Sequence, residues 1–291
     1  MDFEFTNSFL KKMPPQTQNV HPGLEKLMDP LPVFDDPGYI SSNKLKGKAA
    51  LITGGDSGIG RAVACAYAKE GADISIVYFN EHEDANETKS IVESLGRKCV
   101  LIPGDISDED FCKAAVQQTI NKFKKLDILV NNAAVQYVQN SIEDITAAQL
   151  EKTFKTNVFS MFYLCKAALP SLKAGSAIIN TASITAYKGE KTLIDYSSAK
   201  GAIVTFTRSL ALSLCSKHIR VNAVAPGPIW TPLIPSSCTA EEVSQFGTTS
   251  PIGRPGQPVE LAPAYVYLAS EDSSYVNGSV IHVNGGSFMS N

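Results

Sequence analysis

Residues 46–60, KGKAALITGGDSGIG, decide how this chain is read. The run AALIT at 49–53 is apolar nearly throughout and is followed at once by glycines, the pattern of a short strand buried on both faces. Gly54, Gly58 and Gly60 then stand where the apolar run gives way to a helical pattern near 58–70. A backbone that must turn tightly, let a pyrophosphate approach and pack its helix on the strand has no room for side chains at such points. The N–H groups of Asp56, Ser57, Gly58 and Ile59 would sit at or near the helix start, where an anion is favoured. The spacing is G-x-x-x-G-x-G and not the commoner G-x-G-x-x-G. Glycine clusters also serve as plain tight connections, so the position after a first strand carries the inference.

Working outward, short apolar runs alternate with longer helical patterns to the end of the chain. ADISIVYF, KCVLIPGD, LDILVNNAA, SAIINTAS, IRVNAVAPG and VIHVNGG are separated by helical stretches near 83–95, 108–124, 147–173, 195–217 and 258–269. Continuous apolar strands between amphipathic helices imply a parallel sheet covered on both faces. The expectation is one doubly wound, Rossmann-type α/β domain over residues 46–291, with a mainly parallel seven-stranded sheet. Its ligands should bind beyond the carboxyl ends of the strands. Residues 1–45, rich in Pro, Asn, Gln and Ser, read as an arm. It is either a flexible tail or an extended segment over the body or a neighbouring subunit, anchored by Leu24, Leu27, Met28, Leu31, Val33 and Phe34.

The strand ends supply further candidates. Asp105 and Ile106 could meet an adenine edge with a carboxylate and a backbone N–H. Asn131, Asn132, Ala133 and Ala134 leave room and provide amides that brace neighbouring backbone. Pro226, Gly227, Pro228, Ile229 and Thr231 form a narrow wall. Within DYSSAK, Tyr196 and Lys200 lie four apart and share a helix face. Tyrosine titrates near 10, so proton exchange near neutrality needs a neighbouring ammonium that favours the phenolate. Reduction of a carbonyl needs a proton at oxygen as hydride reaches carbon, and Tyr196 could deliver it. Ser183, ending the fifth strand, could donate to a developing alkoxide or merely cap a turn. Asn157 is an amide within an apolar helical pattern, which calls for a hydrogen-bonding reason.

TGGDSGIG, NNAA, Asn157 in KTNVFS, Ser183 in NTASIT, the Tyr196/Lys200 pair and PGPIWT occur in the order and spacing of the short-chain dehydrogenase/reductase family, which this chain resembles over about residues 46–286. The resemblance implies Tyr196 as general acid/base, Ser183 orienting the substrate oxygen, and Lys200 binding the nicotinamide ribose while lowering the tyrosine pKa. Asn157 would hold a water linking Lys200 to solvent. Ala134 stands where the family usually has glycine. The long arm resembles a bacterial subgroup often labelled glucose/ribitol dehydrogenase-like, and the family habit implies a dimer or tetramer.

The second strand ends in Tyr78, Phe79 and Asn80, with neither a carboxylate to select a free ribose nor a basic residue for a 2′-phosphate. Asp56 would oppose a phosphate dianion, so NAD is favoured over NADP. Gln136, Tyr137, Tyr187, Lys188, Glu190, Trp230 and the polar, loop-like segment 231–250 are the substrate-lining candidates. They favour a small polar alcohol, a polyol or a sugar. A 3-oxoacyl-thioester reductase using NADPH would share these motifs, and a non-catalytic dinucleotide sensor or scaffold would share the glycine turn. The net charge of −3 leaves no footprint for nucleic acid, and no apolar run approaches the roughly 20 residues that span a bilayer. The six cysteines lack a C-x-x-C pair and read as buried thiols of a cytoplasmic protein. His21, His82, His218 and His282 are isolated, so no metal is expected.

Overall fold

The computed structural model describes residues 1–289. Residues 290 and 291, the end of the stretch assigned to the α/β domain, lie outside the described residues. Seven strands form one sheet: β1 (Ala49–Thr53), β2 (Asp73–Tyr78), β3 (Cys99–Pro103), β4 (Ile128–Asn131), β5 (Ala177–Thr181), β6 (Arg220–Pro226) and β7 (Val280–Val283). Their order is β3-β2-β1-β4-β5-β6-β7, and every neighbouring pair is parallel. The chain winds outward from β1 to β3, returns, and continues from β4 on the other side of β1. The carboxyl ends of β1 and β4 therefore flank the point where the winding reverses, and a crevice opens there. All-parallel pairing follows from strands such as AALIT and AIINT that are buried throughout.

The helices are α1 (Phe3–Asn7), α2 (Gly58–Lys69), α3 (His82–Ser94), α4 (Glu109–Phe123), α5 (Ala147–Phe154), α6 (Ser160–Ala168), α7 (Thr185–Lys188), α8 (Ile194–Leu214), α9 (Ala240–Gln245) and α10 (Pro258–Ala269). Helices α2, α3 and α10 cover one face of the sheet through residues such as Val63, Tyr67, Val92 and Tyr265. Helices α4, α6 and α8 cover the other through Val116, Leu164, Cys165 and Leu214. The helical pattern at 147–173 is not one helix. It widens into a π turn at Lys155–Phe159, between α5 and α6, and α6 ends at Ala168. Segment 231–250 is not wholly loop either, because Thr239 and Glu242 form a capping box that starts α9.

The arm lies along the body. Trp230 is fully buried, donates its indole N–H to the Pro30 carbonyl at 2.9 Å, and packs with Met13, Met28, Ile234 and Val243. The Val33 N–H donates to Gln257 at 2.9 Å, and both Glu25 and Lys26 donate backbone N–H groups to Asp84 in α3. Of the anchors read from sequence, Met28 is buried, whereas Leu27 and Leu31 are exposed. In place of these two leucines, Phe9 and Met13 are buried. All six cysteines are free, and Cys215 is exposed, contrary to the expectation of uniformly buried thiols.

Candidate active site

The glycine turn is built as a cradle. A Cβ at Gly60 would stand 1.7 Å from the Gly54 carbonyl oxygen, inside the backbone of the turn itself. Gly54 and Gly58 have φ of +61° and +50°, and a Cβ on Gly58 would stand 3.0 Å from Thr231. The crevice beside the turn is lined by Gly54, Asp56, Ser57, Gly58, Ile59, Tyr78, Asp105, Ile106, Asn132, Ala133 and Ala134. These residues fit a dinucleotide, since the backbone at the cradle has been kept clear of side chains where a pyrophosphate must approach. One donor expected for the phosphate is already engaged. The Gly58 N–H donates to the Glu25 carboxylate of the arm at 2.6 Å, because the arm brings its own anion to the start of α2.

Amides and hydroxyls fix the strand ends. Thr53 Oγ1 accepts from the N–H groups of Asn132 and Ala133 at 2.9 and 3.1 Å. Asn132 Nδ2 donates to the carbonyls of Thr53 and Gly54, and its Oδ1 accepts from the Thr181 hydroxyl at 3.2 Å. Asn131 reaches Asn180, which reaches Thr207 in α8, each at 2.9 Å. The ends of β1, β4 and β5 are thus tied to one another and to the helix that carries Tyr196 and Lys200.

A second lobe of the crevice shares Ile59, Asn132, Ala134 and Thr231 with the first and adds Ser183, Tyr196, Lys200, Pro226, Gly227 and Ile229. Lys200 is fully buried, donates to the Thr181 carbonyl at 2.7 Å and stands 5.4 Å from the centre of the Tyr196 ring. Burial pushes the Tyr196 phenol up to about 12, with a hydrogen bond to Ser183 acting against it, and lowers the Lys200 amine to about 7. The ammonium does not depress the phenol as expected from the sequence, because it faces a carbonyl and is itself costly to charge in so dry a place. The Thr185 N–H and hydroxyl both donate to Ser183 Oγ at 3.1 Å, so Ser183 keeps its own proton to give.

Asn157 stands apart from both lobes. Its side-chain oxygen accepts from the Val135 N–H at 2.8 Å and its amide nitrogen donates to the Val135 carbonyl at 2.9 Å. It is buried in the π turn and braces the chain beyond β4. Tyr187 packs against His282 and Phe288, and Trp230 is buried under the arm, so neither lines the substrate lobe. Gln136, Lys188 and Glu190 do line it. Tyr137 lies in the first lobe, its ring 4.8 Å from that of His21.

The end of the first lobe beside β2 is acidic. Burial, with Glu81 beside it, pushes Asp56 up to about 7. Glu81 is buried on the same wall, accepts from the Asn80 N–H at 3.0 Å and leaves its other oxygen without a hydrogen-bond partner. Asn80, expected on this wall, is exposed and off it, because the chain turns inward one residue later at the start of α3. Tyr78 turns its hydroxyl to His82 at 3.0 Å. Burial works to raise Asp105, but hydrogen bonds from Ser107 and the Lys152 ammonium outweigh it and hold the carboxyl below its usual range. Phe79 lines this end too, together with Lys152, which was not foreseen.

A family model described as enoyl-(acyl carrier protein) reductase matches residues 54–287. The oxidoreductase YhxC of Bacillus subtilis is 65% identical over 283 residues, 97% of this chain and 99% of that protein. The glucose and ribitol dehydrogenase of Daucus carota is 52% identical over 284 residues, 96% of this chain and 98% of that protein. Among solved structures, a short-chain dehydrogenase from Burkholderia cenocepacia in complex with NADP superposes with a TM-score of 0.79 at 30% identity, covering 84% of this chain and 98% of that one. With the glycine cradle, the parallel sheet and these likenesses in agreement, the chain belongs to the short-chain dehydrogenase/reductase family of oxidoreductases.

Proposed function

We propose that the chain interconverts an alcohol and a carbonyl with NAD as cofactor, Tyr196 exchanging the proton with the substrate oxygen. The observation that carries this reading is the wall on which the hydroxyls of Ser183 and Tyr196 meet, with Lys200 behind them and the glycine cradle on the same crevice. A nicotinamide dinucleotide held along the glycine cradle, with its nicotinamide reaching the second lobe, would supply the hydride in reduction and accept it in oxidation. Tyr196, raised to about 12, keeps its proton at neutral pH and is ready to donate it at Oη to a carbonyl oxygen. Ser183 donates to that same oxygen and holds it in place. Lys200 orders the wall through the Thr181 carbonyl, and Asn157 is a positioning residue that fixes Val135.

NAD is supported by Asp56 and Glu81, two carboxyls at the ribose end of the lobe that would accept hydrogen bonds from ribose hydroxyls, with Glu81 standing against a 2′-phosphate. Lys152, the cation at that end, is engaged by Asp105. A small polar alcohol, polyol or sugar is supported by Gln136, Thr185, Lys188, Glu190 and Thr192 around the second lobe. A homo-oligomer is supported by the exposed rings of Phe159 and Phe162 and by Leu212, and a cytoplasmic setting by six free cysteines.

The test is a panel of polyols, sugars, simple ketones and acyl thioesters with NAD(H) and NADP(H). Acyl thioesters belong in it because the matching family model is described by an acyl-carrier-protein reaction. Tyr196→Phe should lower kcat by about 10²–10⁴-fold while the dinucleotide still binds. A Phe variant that turns over like the parent removes Tyr196 from the mechanism, and a strong NADP preference removes the cofactor assignment.

A further inference from the structure

The first lobe is not lined by the α/β domain alone, because His21, Pro22 and Gly23 of the arm form part of its wall. Gln18 closes residues 18–24 into a loop, its side chain donating to the Leu24 carbonyl at 2.9 Å and accepting from the Leu24 N–H at 2.7 Å. One end of that loop is held by the segment after β6, where the Gln18 N–H donates to the Pro235 carbonyl at 2.7 Å and Ser236 Oγ donates to the Pro22 carbonyl at 2.8 Å. The fit at the tip is close. A Cβ on Gly23 would stand 2.4 Å from the Pro232 carbonyl oxygen, and the His21 ring lies against Tyr137 beyond β4. The other end is held at the start of α2, where Glu25, 1% exposed, accepts from the Gly58 N–H and pairs with Arg61 at 2.7 Å. The loop therefore crosses the crevice from the wall after β6 to the glycine cradle, fastened on both sides.

We propose that the N-terminal arm is a wall of the dinucleotide site, and that residues 18–25 are a strap retaining a nicotinamide dinucleotide bound beneath it. This rests on the reading that the crevice takes such a cofactor. A bound dinucleotide would lie between the cradle and the strap, and it leaves when the Glu25 fastening opens. Contact is reciprocal: if the closed strap tightens cofactor binding, bound cofactor must hold the strap closed by the same free energy.

The full-length chain allows two measurements. Lys26 is exposed beside the Glu25 fastening, so tryptic cleavage after Lys26 reads strap opening in the unaltered protein. Saturating NADH, or NADPH if that binds, should slow this cleavage at least fivefold. Glu25→Gln removes the charge that pairs with Arg61 while keeping the shape, and stopped-flow release of NADH from this variant should be at least tenfold faster than from the parent. Cleavage that ignores saturating cofactor overturns the proposal without any variant, as does release within twofold of the parent from a folded Glu25→Gln chain. A parent that binds neither dinucleotide overturns the proposed function and the strap together. Binding with neither effect removes the strap alone.

Discussion

Asp56 shows how far one carboxyl departs from its sequence context once buried. In the turn it was read as a charge that would oppose a phosphate, yet its folded-state pKa is raised from 3.8 to about 7 by burial and by Glu81. Between those values the folded chain binds a proton that the unfolded chain has released. The contribution to stability is full below about 4 and lost as pH rises to 7. Asp56→Asn, which has no charge to bury, should therefore gain on the parent as pH rises across that window, by on the order of a few kcal/mol at pH 7. Thermal unfolding from pH 4 to 8 reads this as a widening gap in Tm. A gap that stays constant with pH means that Asp56 does not titrate as described.

At the scale of elements, the strands and their order of use were legible, and the reason is chemical. Runs such as AALIT and AIINT are buried on both faces, so their apolar character survives in the sequence without alternation. The glycine turn was legible because backbone crowding leaves only one residue type. Gly60→Ala should destabilise the chain by about 3 kcal/mol or more and abolish dinucleotide binding, since its Cβ would overlap the Gly54 carbonyl. Calorimetry with and without NAD checks both effects, and an alanine variant with parental stability would mean the turn can open elsewhere. The break between α5 and α6 was not legible, because its cause is a tertiary pair, Asn157 with Val135, 22 residues apart. Glu81 was missed for a similar reason, as its burial depends on how α3 begins and not on counting from β2.

At the scale of the whole molecule, the body and the arm were unequally readable. The body announces itself through periodicity, whereas the arm is docked by scattered backbone groups, an indole and single carboxylates such as Glu25 and Asp84, none of which leaves a pattern. Exposed Phe159, Phe162 and Leu212 are the other feature that only the assembled molecule reveals. Light scattering should return a mass that is a multiple of the 31.2 kDa chain, and a strictly monomeric protein would refute the proposed oligomer. The arm also imposes an order of events during synthesis. Two of its partners lie far downstream, Trp230 200 residues beyond Pro30 and Gln257 224 residues beyond Val33. At ~5–20 residues per second, Pro30 and Val33 wait on the order of ten seconds or more for these two partners to be made. The arm is thus made before the body it lies on, yet docks fully only once that body is nearly complete.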